Sequence, residues 1–299
     1  MYKRISIILI SFFIISVLSY LFYFKNTSSV PKRTAEFLDT NWAHGYLNID
    51  NIHSNYGLKG TGVKIAIIDT GVSNSSINIV EGINILEDTN DFSDDHGHGT
   101  HLAGIIGSTE IGVAPDSDLY IAKALDEKLE GNIENIVKAV EWSISKNVDI
   151  ILMSFGTVND DKALKNVIDK AADNNITVVS SVGNFGLQDT VDIFYPAKYE
   201  NVVAVGALDK NNEIWKGTTL GEELDYLLPG QYINSHSING DYLISSGTSM
   251  ASAYMAGFIA LKIEEKGNKI NNRVEIEGDY DIIDGYNIFD PIKLLNKIK

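Results

Sequence analysis

Val63-Lys64-Ile65-Ala66-Ile67-Ile68-Asp69-Thr70-Gly71 is the stretch from which the fold can be read. A short apolar run of this kind suits a strand buried on both faces of a parallel sheet. It ends on a carboxylate and a turn residue. Further apolar runs lie at Leu119–Ala124, Val148–Met153, Ile176–Ser181 and Val202–Val205. Between them the spacing changes. Ile133, Ile136, Val137, Val140 and Ile144 fall on one face of a helix, Ala163, Val167, Ala171 and Ala172 on one face of another, and a third apolar run extends from Met250 through Ile263. Alternation of this kind predicts an α/β fold with a mostly parallel sheet, in which sites form at the carboxyl ends of strands.

The chain has 299 residues, 44% hydrophobic and 21% charged, enough for one sizeable core. Its net charge of -16 disfavours nucleic acid as a partner, since phosphate binding needs clustered Lys and Arg. Most of these carboxylates read as a solvated surface, although the same field would attract basic peptides. With no cysteine, disulfides, thiolate catalysis and Cys-ligated zinc are excluded.

Residues 5–24 carry no charge and are dense in Ile, Leu, Phe and Val. Twenty helical residues at about 1.5 Å each match one hydrocarbon core. Tyr20 and Tyr23 sit near the far end, where interfacial aromatics belong. The run is longer than a signal peptide's apolar region and no Ala-x-Ala follows it, which favours an uncleaved anchor. The expected organisation is a tail at 1–4, a membrane anchor at 5–24, a linker at 25–40 and a catalytic domain at 41–299. That makes a single-pass cell-membrane protein with its N-terminus inside and its domain outside, although Lys and Arg on both sides of the span leave direction open.

Three segments offer chemistry. Asp69 ends its strand, where a turn or cap is the commoner role. Asp94-Asp95-His96-Gly97-His98-Gly99-Thr100-His101 places three His within six positions. A metal site is one reading of it, but the spacing is not the helical pair with an intervening Glu of zinc peptidases. Ser246-Gly247-Thr248-Ser249-Met250-Ala251 puts a Ser at the start of an apolar helix. It reads there as an N-cap, or as a hydroxyl beside free backbone N–H groups that can stabilise an oxyanion.

Together, and in this order, the three segments resemble the subtilisin-like serine peptidases, or subtilases, of a small membrane-anchored bacterial type. Other stretches extend the resemblance from about Trp42 to Leu295. Ser181-Val182-Gly183-Asn184 is similar to the family's oxyanion segment and Met153-Ser154-Phe155-Gly156 to its cleft-lining strand. Tyr195-Pro196-Ala197, the run Val202–Ala207 and Gly285–Pro291 also match. The resemblance implies a three-layer fold with a mostly parallel central sheet and helices on both faces. It implies a catalytic set of Asp69, His98, Ser249 and Asn184, with Ser154, Phe155, Gly156 and Phe194 at the substrate. The implied substrate is a peptide or protein. His101 would be a structural residue of its segment and His96 a surface one.

Four features depart from the family. Residues 25–40 are too short for a folding pro-domain. The stretch from Leu102 to Ile111 is short where secreted relatives carry a loop for a tight calcium site. No cofactor is therefore required, and only weaker calcium binding stays open. Ala253 stands where Pro is usual. Phe194 replaces a small residue, which implies a shallow primary pocket, while Asp189 or Asp192 would instead favour a basic residue there. The expected activity is serine endopeptidase action through an acyl-enzyme, with limited processing of exported peptides near the membrane. The rival reading is an inactive peptide-binding module on the same fold.

Overall fold

The computed structural model describes residues 41–188, 191–267 and 281–295. The expected tail, anchor and linker at 1–40 lie outside them, as does Asp189. No helix among the described residues is long and apolar enough to cross a membrane.

From Asn41 onward the chain forms one compact unit. It opens with α1 (Trp42–Tyr46) and α2 (Ile49–Tyr56), followed by β1 (Lys64–Asp69) and β2 (Ile79–Asn84). Then come α3 (His98–Gly107), β3 (Asp118–Lys123), α4 (Ile133–Ser145), β4 (Ile150–Met153), α5 (Lys162–Asp173), β5 (Thr177–Ser181) and β6 (Val202–Leu208). The second half adds β7 (Tyr226–Pro229), β8 (Ile233–His236), β9 (Tyr242–Ser245), α6 (Thr248–Lys266), β10 (Asp281–Ile283), β11 (Tyr286–Ile288) and α7 (Pro291–Leu295).

Among the described residues the main sheet runs β10-β11-β7-β6-β5-β4-β1-β3-β2, and β8 pairs with β9 separately. All its pairs are parallel except β10 with β11. β1 explains the layering. Ile65 and Ile67 enter one core with residues of α3 and α6, while Ala66 and Ile68 enter a second with residues of α4 and α5. All four are fully buried, and each such Ile contributes about 1.5–3 kcal/mol. The result is a three-layer α/β fold, as the apolar runs imply.

α6 is buried along nearly its whole length, from Thr248 through Ile263. It packs across β4, β5, β6 and β7. A helix apolar all round belongs in the centre of a molecule, which explains why Ala253 fits at 0% exposure.

Strand order positions the site. β1 lies between β3 and β4, and the chain completes β2 at the edge and β3 beside β1 on one side before crossing to β4 on the other. Such a switch point opens a crevice beyond the carboxyl ends of the strands, and Asp69 is the last residue of β1.

Candidate active site

Asp69 is 1% exposed. Its Oδ1 accepts the Thr70 N–H at 2.8 Å, and Nδ1–H of His98 reaches Oδ1 at 2.8 Å and Oδ2 at 3.0 Å. His98 opens α3 directly after Gly97, whose φ of 106° is left-handed. Gly99 lets the helix start abut the strand end: a Cβ there would lie 2.2 Å from the Gly71 carbonyl oxygen.

Asp94 holds the loop that delivers His98. Its carboxylate accepts N–H bonds from His96 at 3.0 Å, Gly97 at 2.8 Å and Thr100 at 2.9 Å, and the Thr100 hydroxyl at 2.6 Å. Burial pushes the Asp94 carboxyl upward, but these bonds outweigh it and leave it below the ordinary Asp value. At His98 burial again favours the neutral form. The charge and hydrogen bond of Asp69, with help from Asp94, win and raise the imidazole above its ordinary 6.5.

His96 is half-buried, not on the surface as expected. Its ring stands edge-on to that of His98 with centroids 6.4 Å apart, and its Nδ1 accepts the His98 N–H at 3.2 Å. Burial first, then the neighbouring His98, lowers its pKa. His101 is 1% exposed, and its Nε2–H bonds the Leu243 carbonyl at 3.1 Å. Burial pushes it down to about 4, so it is a neutral structural imidazole. The three His side chains thus do not converge on a common centre.

Ser249 is the second residue of α6 and is 6% exposed. Its N–H belongs to the first turn, where no intrahelical acceptor exists. Its hydroxyl donates to the Ser154 carbonyl at 3.2 Å and does not pair with His98. The Ser154 and Ser252 hydroxyls pair at 2.8 Å, and Ser252 Oγ also reaches the Ser249 carbonyl at 2.8 Å. The residue after β4 is thereby tied to the start of α6.

Asn184 is exposed just beyond β5. Its Oδ1 accepts both the N–H and the hydroxyl of Thr248, each at 2.9 Å. A backbone N–H can only donate, so Oδ1 must face Thr248 and Nδ2 remains free as a donor. A Cβ on Gly247 would stand 3.2 Å from that Nδ2.

Gly156 is exposed, and a Cβ on it would lie 2.7 Å from Phe194 Cβ. Phe194 also packs on Phe185, with centroids 4.9 Å apart. Thr157 and Tyr195 exchange backbone bonds at 2.8 and 2.9 Å, and the Tyr195–Pro196 peptide is cis. Phe194 therefore sits between the segment after β4 and the one after Asn184. Phe155 turns toward the core formed with α4 and α5. Asp192 is bound to Lys198 at 3.2 Å.

The segment 102–111 is the rest of α3 and a turn closed on the Ser108 hydroxyl, which accepts the N–H groups of Glu110 and Ile111. Its one carboxylate, Glu110, accepts the Tyr242 hydroxyl. Among the described residues no group of three or more His, Cys, Asp or Glu forms a metal site.

Residues 60–276 match the model of the subtilase family. The chain is 36% identical over 234 residues to the minor extracellular protease Epr of Bacillus subtilis, covering 76% of this chain and 36% of that protein. It is 38% identical over 232 residues to subtilisin E of the same species, covering 75% and 61%. The chain thus spans less than two thirds of either relative. The crystal structure of a cold-adapted subtilisin-like serine proteinase superposes with a TM-score of 0.67 at 28% identity, over 72% of this chain and 79% of that one. On the family match and the shared architecture, this chain belongs to the subtilase family.

Proposed function

We propose that the chain is a serine endopeptidase in which Ser249 attacks the peptide carbonyl. A Ser hydroxyl is a weak nucleophile at neutral pH and needs a base. His98 is that base, because Asp69 holds its Nδ1 protonated and leaves Nε2 to take the Ser proton and later return it to the leaving amine. Asn184 Nδ2 and the Ser249 N–H donate to the oxyanion.

The observation that supports this reading is the bidentate approach of His98 to Asp69 at the start of α3, a helix that packs against α6, whose first turn holds Ser249. Ser154, Phe155, Gly156 and Phe194 form the substrate-side segments, with Phe194 limiting the depth of the primary pocket. Phe155 acts there through its backbone.

The domain at 41–299 is tethered to the cell membrane by residues 5–24 and faces outward, where it trims exported peptides. The tether rests on the uncharged apolar run of the sequence, and the relative Epr is by name extracellular. Cleavage of a peptide library by wild type but not by Ser249→Ala tests the peptidase. Retained peptide binding without cleavage by wild type would favour the inactive binding module.

A further inference from the structure

Lys123 is the last residue of β3 and the register partner of Asp69 on β1. Register partners on neighbouring parallel strands project to the same side of the sheet, so the two side chains emerge next to each other. Lys123 is 4% exposed and follows the fully buried Leu119, Ile121 and Ala122. A lysine is retained at such a position only when its charge is paired.

Its ammonium donates to the Thr70 carbonyl at 2.7 Å and to Asp95 Oδ1 at 2.7 Å. Thr70 follows Asp69, and its hydroxyl accepts the Gly99 N–H at 3.0 Å. Asp95 belongs to the loop that ends at His98. A single buried cation therefore joins the end of the strand carrying Asp69 to the loop carrying His98. The loop contains a left-handed glycine, Gly97, so its approach is set by such tethers and not by regular structure. An apolar side chain of similar length would fill the space and join nothing.

We propose that Lys123 is a positioning residue for peptide-bond hydrolysis, whose ammonium sets how the His98 loop sits against the Asp69 strand. This rests on the peptidase reading above. It reaches the chemistry only through the geometry of His98 and Asp69, where a displacement of about 1 Å costs roughly 10²-fold in rate.

The test uses the full chain with Lys123→Met, Asp95→Asn and the double variant. Active sites are counted with a fluorophosphonate, and kcat and KM are taken per titrated site. Lys123→Met is expected to lower kcat by about 10- to 100-fold with KM within about twofold. Asp95→Asn, with a side chain 50% exposed, keeps the fold and lowers kcat in the same direction by less. The double variant should be no worse than Lys123→Met, because the bridge is already broken. A purely structural lysine would reduce Tm and the number of titratable sites while kcat per site stayed unchanged, and that result overturns the proposal. If Lys123→Met fails to fold, unchanged kcat per site in Asp95→Asn overturns it. Wild type that fails to label removes the peptidase reading and this proposal together. A competent wild type with unaffected variants removes the positioning role alone.

Discussion

His98 Nδ1 lies 2.8 Å from one carboxylate oxygen of Asp69 and 3.0 Å from the other. A neutral imidazole carries one proton, and this contact assigns it to Nδ1. Nε2 is then the free base, and the same carboxylate stabilises the cation formed when Nε2 takes a proton.

The pH profile follows from that contact. The His98 pKa is raised above 6.5, chiefly by Asp69 working against burial. Only the neutral form accepts the Ser proton, so kcat/KM is expected to fall on acidification through a value above 6.5. In Asp69→Asn the acid limb moves to lower pH and kcat drops by about 10⁴-fold. A profile flat down to pH ~4 would remove His98 as the base.

Asn184→Ala deletes the proposed oxyanion donor together with the Oδ1 acceptor of the Thr248 N–H and hydroxyl. The expected loss is about 10²–10³ in kcat with KM little changed. Steady-state kinetics on a short peptide amide measure it, and an unchanged kcat would place Nδ2 away from the reacting oxygen.

Phe194→Ala removes the ring that packs between Gly156 and Phe185. The preferred residue before the scissile bond should shift from small toward large and apolar. Cleavage profiling of both enzymes reads this directly, and identical profiles would take Phe194 out of the pocket.

Acid stability has a separate origin. His101 is held neutral by burial, at about 4 in the folded state against 6.5 for an ordinary His, and burial likewise lowers His236. Below 6.5 the unfolded chain binds protons that the folded one refuses. The stability these groups provide is therefore lost as pH falls from about 6.5 toward 4, by roughly 3 kcal/mol for His101 at full effect. Tm measured between pH 8 and 4 should fall less steeply in His101→Leu than in wild type, although the variant starts lower. Equal slopes would contradict the assignment.

Much of this structure is legible in the sequence. β1, β3, β4, β5 and β6 stand out because strands buried on both faces read as unbroken apolar runs. α4 and α5 show because one face packs on the sheet. β2 is hidden by its half-exposed Ile79-Val80-Glu81 stretch, and β8 to β11 by their shortness. The proposed set of Asp69, His98, Ser249 and Asn184 is suggested only by ordered motifs, since its members lie far apart in sequence. Lys123 and Asp94 are not, because pairing to Thr70, Asp95 and Thr100 is a property of the folded loop. The one hint is a lysine inside an apolar run. His96 looks like a surface residue in sequence, but the tight turn at Gly97 folds it back onto His98.

The most direct measurement is fluorophosphonate labelling of the full chain, with the modified residue located by mass spectrometry. Wild type should be labelled on Ser249 at neutral pH, more slowly as His98 protonates, and Ser249→Ala should not be labelled at all. Labelling on another residue, or an unlabelled wild type of intact fold, would contradict the account.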